Sequence, residues 1–337
     1  MKIAIVTINQ PSLNSACRLF AYLSDYDVDV YGKEGLTHTL PTLHHYKKLD
    51  DILPTAWSSY DAIICILAMG AVVRKIAPLL QDKATDPAVL VINLALDKVV
   101  PLLSGHLGGA NALADTLTSR LPSCQNFIST ATDQTNTLAF EMLAQKNGWG
   151  IENLKALARI SNRLLNKQNV NVSTYKSVFE SIPNRDNLTF IEFEHINEDT
   201  VVIAPHIKSD ALTLKPKLTL GMGCNRDTSF EAIQEAFELF LTTHHLERSD
   251  VANITSFEAK KDEKGLLAFA SYYNLPITFY DKENINALEQ TFSPSASTKF
   301  FGLKGVAEPS AVLGSHYKEL VIKKEVYNKA ITIAGAI

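Results

Sequence analysis

Through the first 150 residues, short apolar runs rich in β-branched side chains alternate with longer amphipathic stretches. That rhythm predicts a parallel sheet with crossover helices. Strands are expected at Lys2–Thr7, Val28–Tyr31, Ala62–Leu67, Ala88–Ile92, Val99–Leu103 and Phe127–Thr130, each bounded by a turn signal, with helices at Ser12–Leu23, Ala71–Leu80, Gly109–Arg120 and Thr137–Asn147. Strand Ala62–Leu67 feeds a helix through Met69-Gly70, and Val99–Leu103 does so through Ser104-Gly105-His106-Leu107-Gly108-Gly109. Both turns are expected at carboxyl ends of strands, where open α/β sheets bind ligands.

From Ile151 to Lys215 the composition shifts toward Asn, Lys and Ser around short runs such as Asn169–Val172 and Thr200–Ala204, a small α/β or α+β linker domain. A second α/β alternation opens at Lys217: strand Leu218–Gly221, a helix capped by Thr228 with Glu231 three positions on, strands Val251–Ser256 and Pro276–Tyr280, helices Lys264–Tyr273, Ile285–Gln290 and Glu308–Leu313, and a terminal strand near Ala330–Ala334. The expected organisation is therefore an amino-terminal α/β domain over 1–150, a middle segment over 151–215 and a carboxyl-terminal α/β domain over 216–337, both α/β domains on mainly parallel sheets.

Composition narrows the chemistry. The 32 Lys and Arg against 36 Asp and Glu give a net charge of −4, so no overall basic field draws the chain to nucleic acid or an anionic membrane. Cys17, Cys65, Cys124 and Cys224 form no CxxC pair, and the chain opens MKIAIVTINQPS without a leader pattern, which together point to a reducing cytoplasm. Apolar runs fall short of the ~20 residues of a membrane span.

Three glycines at 105, 108 and 109 let backbone approach a ligand closely at a strand-to-helix junction, with Ser104 and Asn111 flanking. They match neither GxGxxG nor a P-loop. A tight turn with a core-facing histidine is the plain alternative; functionally, His106 is the best general-base candidate, because imidazole exchanges protons near neutral pH. Gly70, Arg74 and Lys75 stand at the other turn, with the two cations expected in the first helical turn, and Thr132 and Asp133 add polar groups in a loop. In the carboxyl-terminal part Gly223, Cys224 and Arg226 occupy a glycine turn and Lys260 follows a strand. Glu308 at a helix start has an ordinary structural explanation through the helix dipole. His44-His45 and His244-His245 match no metal-ligand spacing, so no protein metal site is expected.

The segments Gly70–Pro87 (GAVVRKIAPLLQDKATDP), Leu102–Ala114 (LLSGHLGGANALA) and Thr130-Ala131-Thr132-Asp133, followed in order by Leu220–Arg226 (LGMGCNR), Lys260–Leu266 (KKDEKGL) and Gly305–Pro309 (GVAEP), resemble the cobalamin biosynthesis protein G family, the cobalt-precorrin-5A hydrolases. Asn225 and Asp227 stand where that family more often shows Arg and Gly. The resemblance implies an enzyme of the anaerobic route to vitamin B12 that opens the δ-lactone of a ring-contracted cobalt tetrapyrrole and releases acetaldehyde to give cobalt-precorrin-5B. It further implies a corrinoid substrate whose cobalt arrives within it, no protein-bound cofactor, His106 and Glu308 as acid-base candidates, and a substrate-binding set of Gly70, Arg74, Lys75, Ser104, Gly105, Gly108, Gly109, Asn111, Thr132, Asp133, Gly223, Cys224, Arg226 and Lys260. It leaves room for a homodimer and for transient contact with neighbouring enzymes. Two other classes remain open at this point: a non-catalytic tetrapyrrole carrier, which needs no base, and a nucleotide-dependent enzyme.

Overall fold

The computed structural model describes residues 1–82, 85–129, 137–295 and 302–337, in two compact units, Met1–Asn136 and Thr137–Ile337. The first unit runs β1 (Lys2–Thr7), α1 (Gln10–Phe20), β2 (Asp27–Lys33), β3 (Leu43–Tyr46), α2 (Leu49–Ser59), β4 (Ala62–Ile66), α3 (Met69–Ile76), β5 (Ala88–Ile92), β6 (Lys98–Leu103), α4 (Ala110–Arg120) and β7 (Gln125–Asn126). Its seven strands lie in the order β3-β2-β1-β4-β5-β6-β7. Both faces are covered, which is why the central strands read as unbroken apolar runs. Ile3 and Ile5 of β1 point to a core shared with Leu13 and Leu19 of α1 and Leu113 and Leu117 of α4, while Ala4 and Val6 point to one shared with Leu53 of α2 and Val72 of α3.

Strand β3 and helix α2 were not expected: LHHY alternates poorly, and Pro54 inside α2 reads as a breaker. The last expected strand, Phe127–Thr130, is not a strand over its described residues 127–129; the strand lies just before it at Gln125–Asn126, and Phe127 is two-thirds exposed. The direction of β6 has larger consequences. Strands β1 to β5 pair in parallel, but β6 runs antiparallel to β5, with Val89 opposite Leu103 and Ile92 opposite Val99. Only Asn93–Asp97 separate the two strands, a hairpin in which the Asn93 side chain accepts from the amides of Asp97 and Lys98. A parallel crossover needs a dozen or more residues, so this gap forces the reversal.

The second unit opens with α5 (Phe140–Asn147), β8 (Gly150–Glu152), α6 (Leu157–Leu165), β9 (Val170–Thr174), α7 (Lys176–Ser181), β10 (Leu188–Ile191), β11 (Thr200–Ile203) and β12 (Leu212–Lys215). These strands form a five-stranded sheet, β10-β9-β11-β12-β8, parallel except for β8. The chain continues through β13 (Leu218–Cys224), α8 (Phe230–Thr243), β14 (Val251–Phe257), α9 (Lys264–Tyr272), β15 (Ile277–Tyr280), α10 (Lys282–Ala287), α11 (Ala307–Gly314), β16 (Leu320–Tyr327) and β17 (Ile331–Ala336). Here the order is β15-β14-β13-β17-β16, with β13, β14 and β15 parallel and the β17 and β16 edge antiparallel.

The middle segment is more than a linker. One continuous core joins Phe140 of α5, Ile160 of α6, Val172 of β9 and Leu214 of β12 to Leu220 of β13, Phe237 of α8 and Phe269 of α9. Helix α5 therefore belongs with the second unit, and the contact boundary falls between Asn136 and Thr137, earlier than the 150 expected from composition. The fold class is as expected: multi-domain α/β on mainly parallel sheets.

Candidate functional site

The reversal of β6 separates two groups of candidate residues within the first unit. Helix α3 follows the carboxyl end of β4, whereas the Ser104–Gly109 loop follows Leu103, which lies beside Val89 at the amino end of β5. At about 3.3 Å per residue, five-residue strands put the two places roughly 15 Å apart, on opposite edges of the sheet. The expectation that both turns share the ligand-binding edge is corrected by that register.

At the carboxyl edge, Gly70 sits inside the first turn of α3 rather than in a preceding turn, and Arg74 Nη1 donates to its carbonyl at 2.9 Å. Because α3 has only eight residues, Arg74 and Lys75 lie in its last turn, where cations stabilise the negative end of the dipole, not in the first turn as expected. Lys75 Nζ is 2.7 Å from both Asp50 oxygens. The loops after β1, β4 and β5 leave Ile8, Met69 and Leu94 exposed along this edge.

The amino edge carries the glycine loop. Ser104 has φ +55 and its Oγ donates to the Asp86 carbonyl at 2.8 Å, fixing the strand exit. Gly109 caps α4 with φ +84, the left-handed conformation that costs glycine nothing. The loop does not turn all its amides outward: those of Gly109, Ala110 and Asn111 donate to the carbonyls of His106, Ser104 and Gly105 at 2.9, 3.1 and 2.9 Å. Among the described residues, the amides of Gly105 and Gly108 have no acceptor. A side chain at Gly105 meets Asn111 Oδ1 at 2.9 Å, and one at Gly108 meets Ser104 Cβ at 2.3 Å, so both glycines are required by the closeness of the loop to itself. His106 is half-buried here. Thr132 and Asp133 lie outside the described residues.

In the second unit the three carboxyl-terminal motifs converge. A Cβ at Gly221 lies 1.8 Å from the Ala307 carbonyl, and one at Gly223 lies 2.6 Å from Thr332 Oγ1. These glycines admit α11 and the neighbouring strand rather than a ligand. Past the carboxyl end of β13, Arg226 donates to both Asp262 oxygens at 2.6 and 2.8 Å and to Glu263 Oε1 at 3.0 Å. Lys260 Nζ reaches the same Glu263 oxygen at 3.1 Å, and the Asp227 amide donates to Glu263 Oε2 at 3.1 Å. Burial works to raise the Glu263 pKa, but Arg226, Lys260 and the Asp227 amide outweigh it and hold the carboxyl below its ordinary value. Asp227 has φ +58, a left-handed conformation that glycine takes without strain and that Asp tolerates better than most side chains. The helix cap is Ser229, whose side chain accepts from the Ala232 amide, while Thr228 Oγ1 donates to the Asn225 carbonyl instead; the expected cap shifts by one residue.

Arg226, Asp227, Glu231, Asp262, Glu263 and Lys264 give their charges to a cleft of about 630 Å³ that also takes in Gly265. Gly265 is held against the start of α8, since a Cβ there lies 2.1 Å from the Thr228 carbonyl. The sequence pointed to Arg226 of this cleft and to Lys260 beside it and missed Lys264, Asp262 and Glu263; the Lys260-x-x-Glu263 spacing, which pairs across one helical turn, was the available signal for Glu263. Burial, the dominant influence on Cys224, pushes its thiol above the ordinary cysteine value, against a nucleophilic role.

Glu308 is buried and fully engaged. Its Oε1 accepts from Ser293 Oγ at 2.7 Å and the Lys324 amide at 2.9 Å, and its Oε2 accepts from the Ser293 amide at 2.6 Å. Burial favours the neutral form, but these donors prevail and the carboxyl stays below its ordinary pKa. This is a tie between α11 and β16, not a poised base. Among the described residues there is no cluster of His, Cys, Asp and Glu able to hold a metal ion, and no helix is long and apolar enough to cross a membrane.

Comparison with known proteins covers most of the chain. Family descriptions match in order: Cobalamin synthesis G N-terminal over 51–133, Cobalamin biosynthesis central region over 138–251, and Cobalamin synthesis G C-terminus over 218–336. Cobalt-precorrin-5A hydrolase of Priestia megaterium is 31% identical over 312 residues, covering 84% of this chain and 80% of that protein. Cobalt-precorrin-5A hydrolase of Salmonella typhimurium is 31% identical over 271 residues, 77% of each chain. A solved structure of a cobalamin biosynthesis protein G homologue from Sulfolobus solfataricus aligns over 99% of this chain and 96% of its own at 22% identity and a TM-score of 0.41.

Proposed function

The chain belongs to the cobalamin synthesis G family, and from that premise we propose that it is a cobalt-precorrin-5A hydrolase, an enzyme of anaerobic vitamin B12 biosynthesis. The observation that carries this reading is the 31% identity to a cobalt-precorrin-5A hydrolase across 84% of the chain, extending over both units. The substrate is a cobalt corrinoid with a δ-lactone, and the cobalt arrives within it.

In this reading the reaction is centred on the amino-edge loop of the first unit. His106 takes a proton from water as the water attacks the lactone carbonyl, and the amides of Gly105 and Gly108, unengaged by other described residues, face the developing oxyanion. The ring-opened alkoxide then collapses to a carbonyl with loss of the two-carbon unit as acetaldehyde, the electron pair of the broken carbon–carbon bond returning to the macrocycle, which takes up a proton. Glu308 has no part in this, because all three of its donors hold it in place. We place the enzyme in the cytoplasm, where its free cysteines remain reduced.

The test is anaerobic incubation of the purified chain with cobalt-precorrin-5A, followed by assay of acetaldehyde and mass analysis of the corrinoid. Stoichiometric acetaldehyde and a two-carbon loss are expected. Unchanged substrate returned by a folded protein contradicts the reading and leaves the carrier alternative standing.

A further inference from the structure

The Arg226 cleft is an odd place for an anion. Its lining offers two cations, Arg226 and Lys264, against four carboxylates, Asp227, Glu231, Asp262 and Glu263. A ligand bearing acetate and propionate groups is repelled unless a carboxylate leaves its partner.

The two carboxylates on Arg226 are not equivalent. Glu263 is 3% exposed, caps the start of α9 and is fixed by three donors: Arg226 Nη1, Lys260 Nζ and the Asp227 amide. Asp262 is 61% exposed and makes one bidentate pair, to an Arg226 that is itself 58% exposed. An exposed pair of this kind contributes little to stability, so exchange of one bidentate carboxylate for another at the guanidinium is nearly neutral. Removing Glu263 instead strands Lys260 and Arg226 and frees the loop that holds Asp227 at positive φ.

Resting on the hydrolase reading for the identity of the ligand, we propose that Asp262 is a built-in placeholder. In the free protein its carboxylate occupies the Arg226 fork that a peripheral carboxylate of the corrinoid takes on binding, while Glu263 remains as the fixed partner that aims Arg226 at the cleft. Asp262 therefore sets a threshold for anions: a single weak carboxylate does not displace an intramolecular partner, whereas a macrocycle held at several points does.

The experiment titrates the full chain at low salt with cobyrinic acid, a cobalt corrin with free acetate and propionate groups, by calorimetry. Four proteins are compared: the parent, Asp262→Asn, Arg226→Ala and the double variant, each checked by thermal unfolding. Asp262→Asn should bind three- to tenfold more tightly than the parent, Arg226→Ala more weakly, and the gain from Asp262→Asn should vanish in the double variant. No change or weaker binding in Asp262→Asn overturns the proposal. So does an equal gain with Arg226 absent, which reports only a less acidic surface. Absence of binding to any of the four also overturns it. Failure of the parent to release acetaldehyde brings down the hydrolase reading but leaves these binding ratios standing, so the two failures are distinguishable.

Discussion

Two glycine turns, Ser104–Gly109 in the first unit and Gly221–Asp227 in the second, look alike as sequence and differ in what their glycines do. In the first, glycines let a loop fold on itself: Gly109 takes a left-handed conformation, Gly108 lies against Ser104, and the Gly105 and Gly108 amides are left without an acceptor among the described residues. In the second, Gly221 and Gly223 sit within β13 and admit α11 and β17 at van der Waals distance, and the turn beyond them is locked by an acidic pair. One set of glycines lets a loop fold on itself, and the other lets separate elements pack together. A glycine motif is thus evidence of close approach, and only the structure says whether a ligand or another element approaches.

The contrast should be breakable by substitution. Gly221→Ala brings a methyl group into the Ala307 carbonyl, which cannot move without displacing α11, and should cost more than ~4 kcal/mol, read as loss of folded protein or a large fall in unfolding midpoint. A near-parental midpoint removes the packing explanation. Glu308→Ala leaves buried donors from Ser293 and Lys324 unpaired and should cost about 3 kcal/mol in denaturant unfolding, with little loss for Ser293→Ala beyond about 1 kcal/mol. Gly105→Ala meets only the Asn111 side chain at its closest points, so stability should fall by about 1 kcal/mol while turnover falls further; a stability loss as large as that of Gly221→Ala makes the two turns alike after all. The smallest effect is expected of Asp227→Gly, a gain or loss within about 0.5–1 kcal/mol, since relief at positive φ opposes the added freedom of the unfolded chain.

A pH scan adds an independent marker in the second unit. Burial, with a contribution from His244, lowers the pKa of His206 from 6.5 to about 4. The unfolded chain then takes up the proton first as pH falls, so this residue's contribution is complete above about pH 6.5 and declines by about 1.4 kcal/mol per pH unit down to about pH 4. His206→Asn should flatten that part of the stability profile.

The sequence made the sheet class legible because strands covered on both faces are continuous apolar runs, and β1 and β5 appear with their observed bounds. It hid β3 and α2, where LHHY and an internal proline carry weak signals. The direction of β6 was available in the five residues from Asn93 to Asp97, and that count, more than any motif, decides which edge His106 occupies. The partners of Arg226 were harder, because adjacent Lys, Asp and Glu residues read equally well as a solvated face; burial of Glu263 at 3% exposure is a tertiary fact. Glu308 shows the reverse: a helix-start carboxylate has a local explanation in sequence, and the three donors from Ser293 and Lys324 reveal a more specific one.

The account assigns proton transfer to the self-folded loop, and single-turnover acetaldehyde release from cobalt-precorrin-5A tests that most directly. At saturating substrate His106→Ala should lose about 10²–10⁴ in rate. Retention of the parental rate within a few-fold by folded His106→Ala contradicts that assignment.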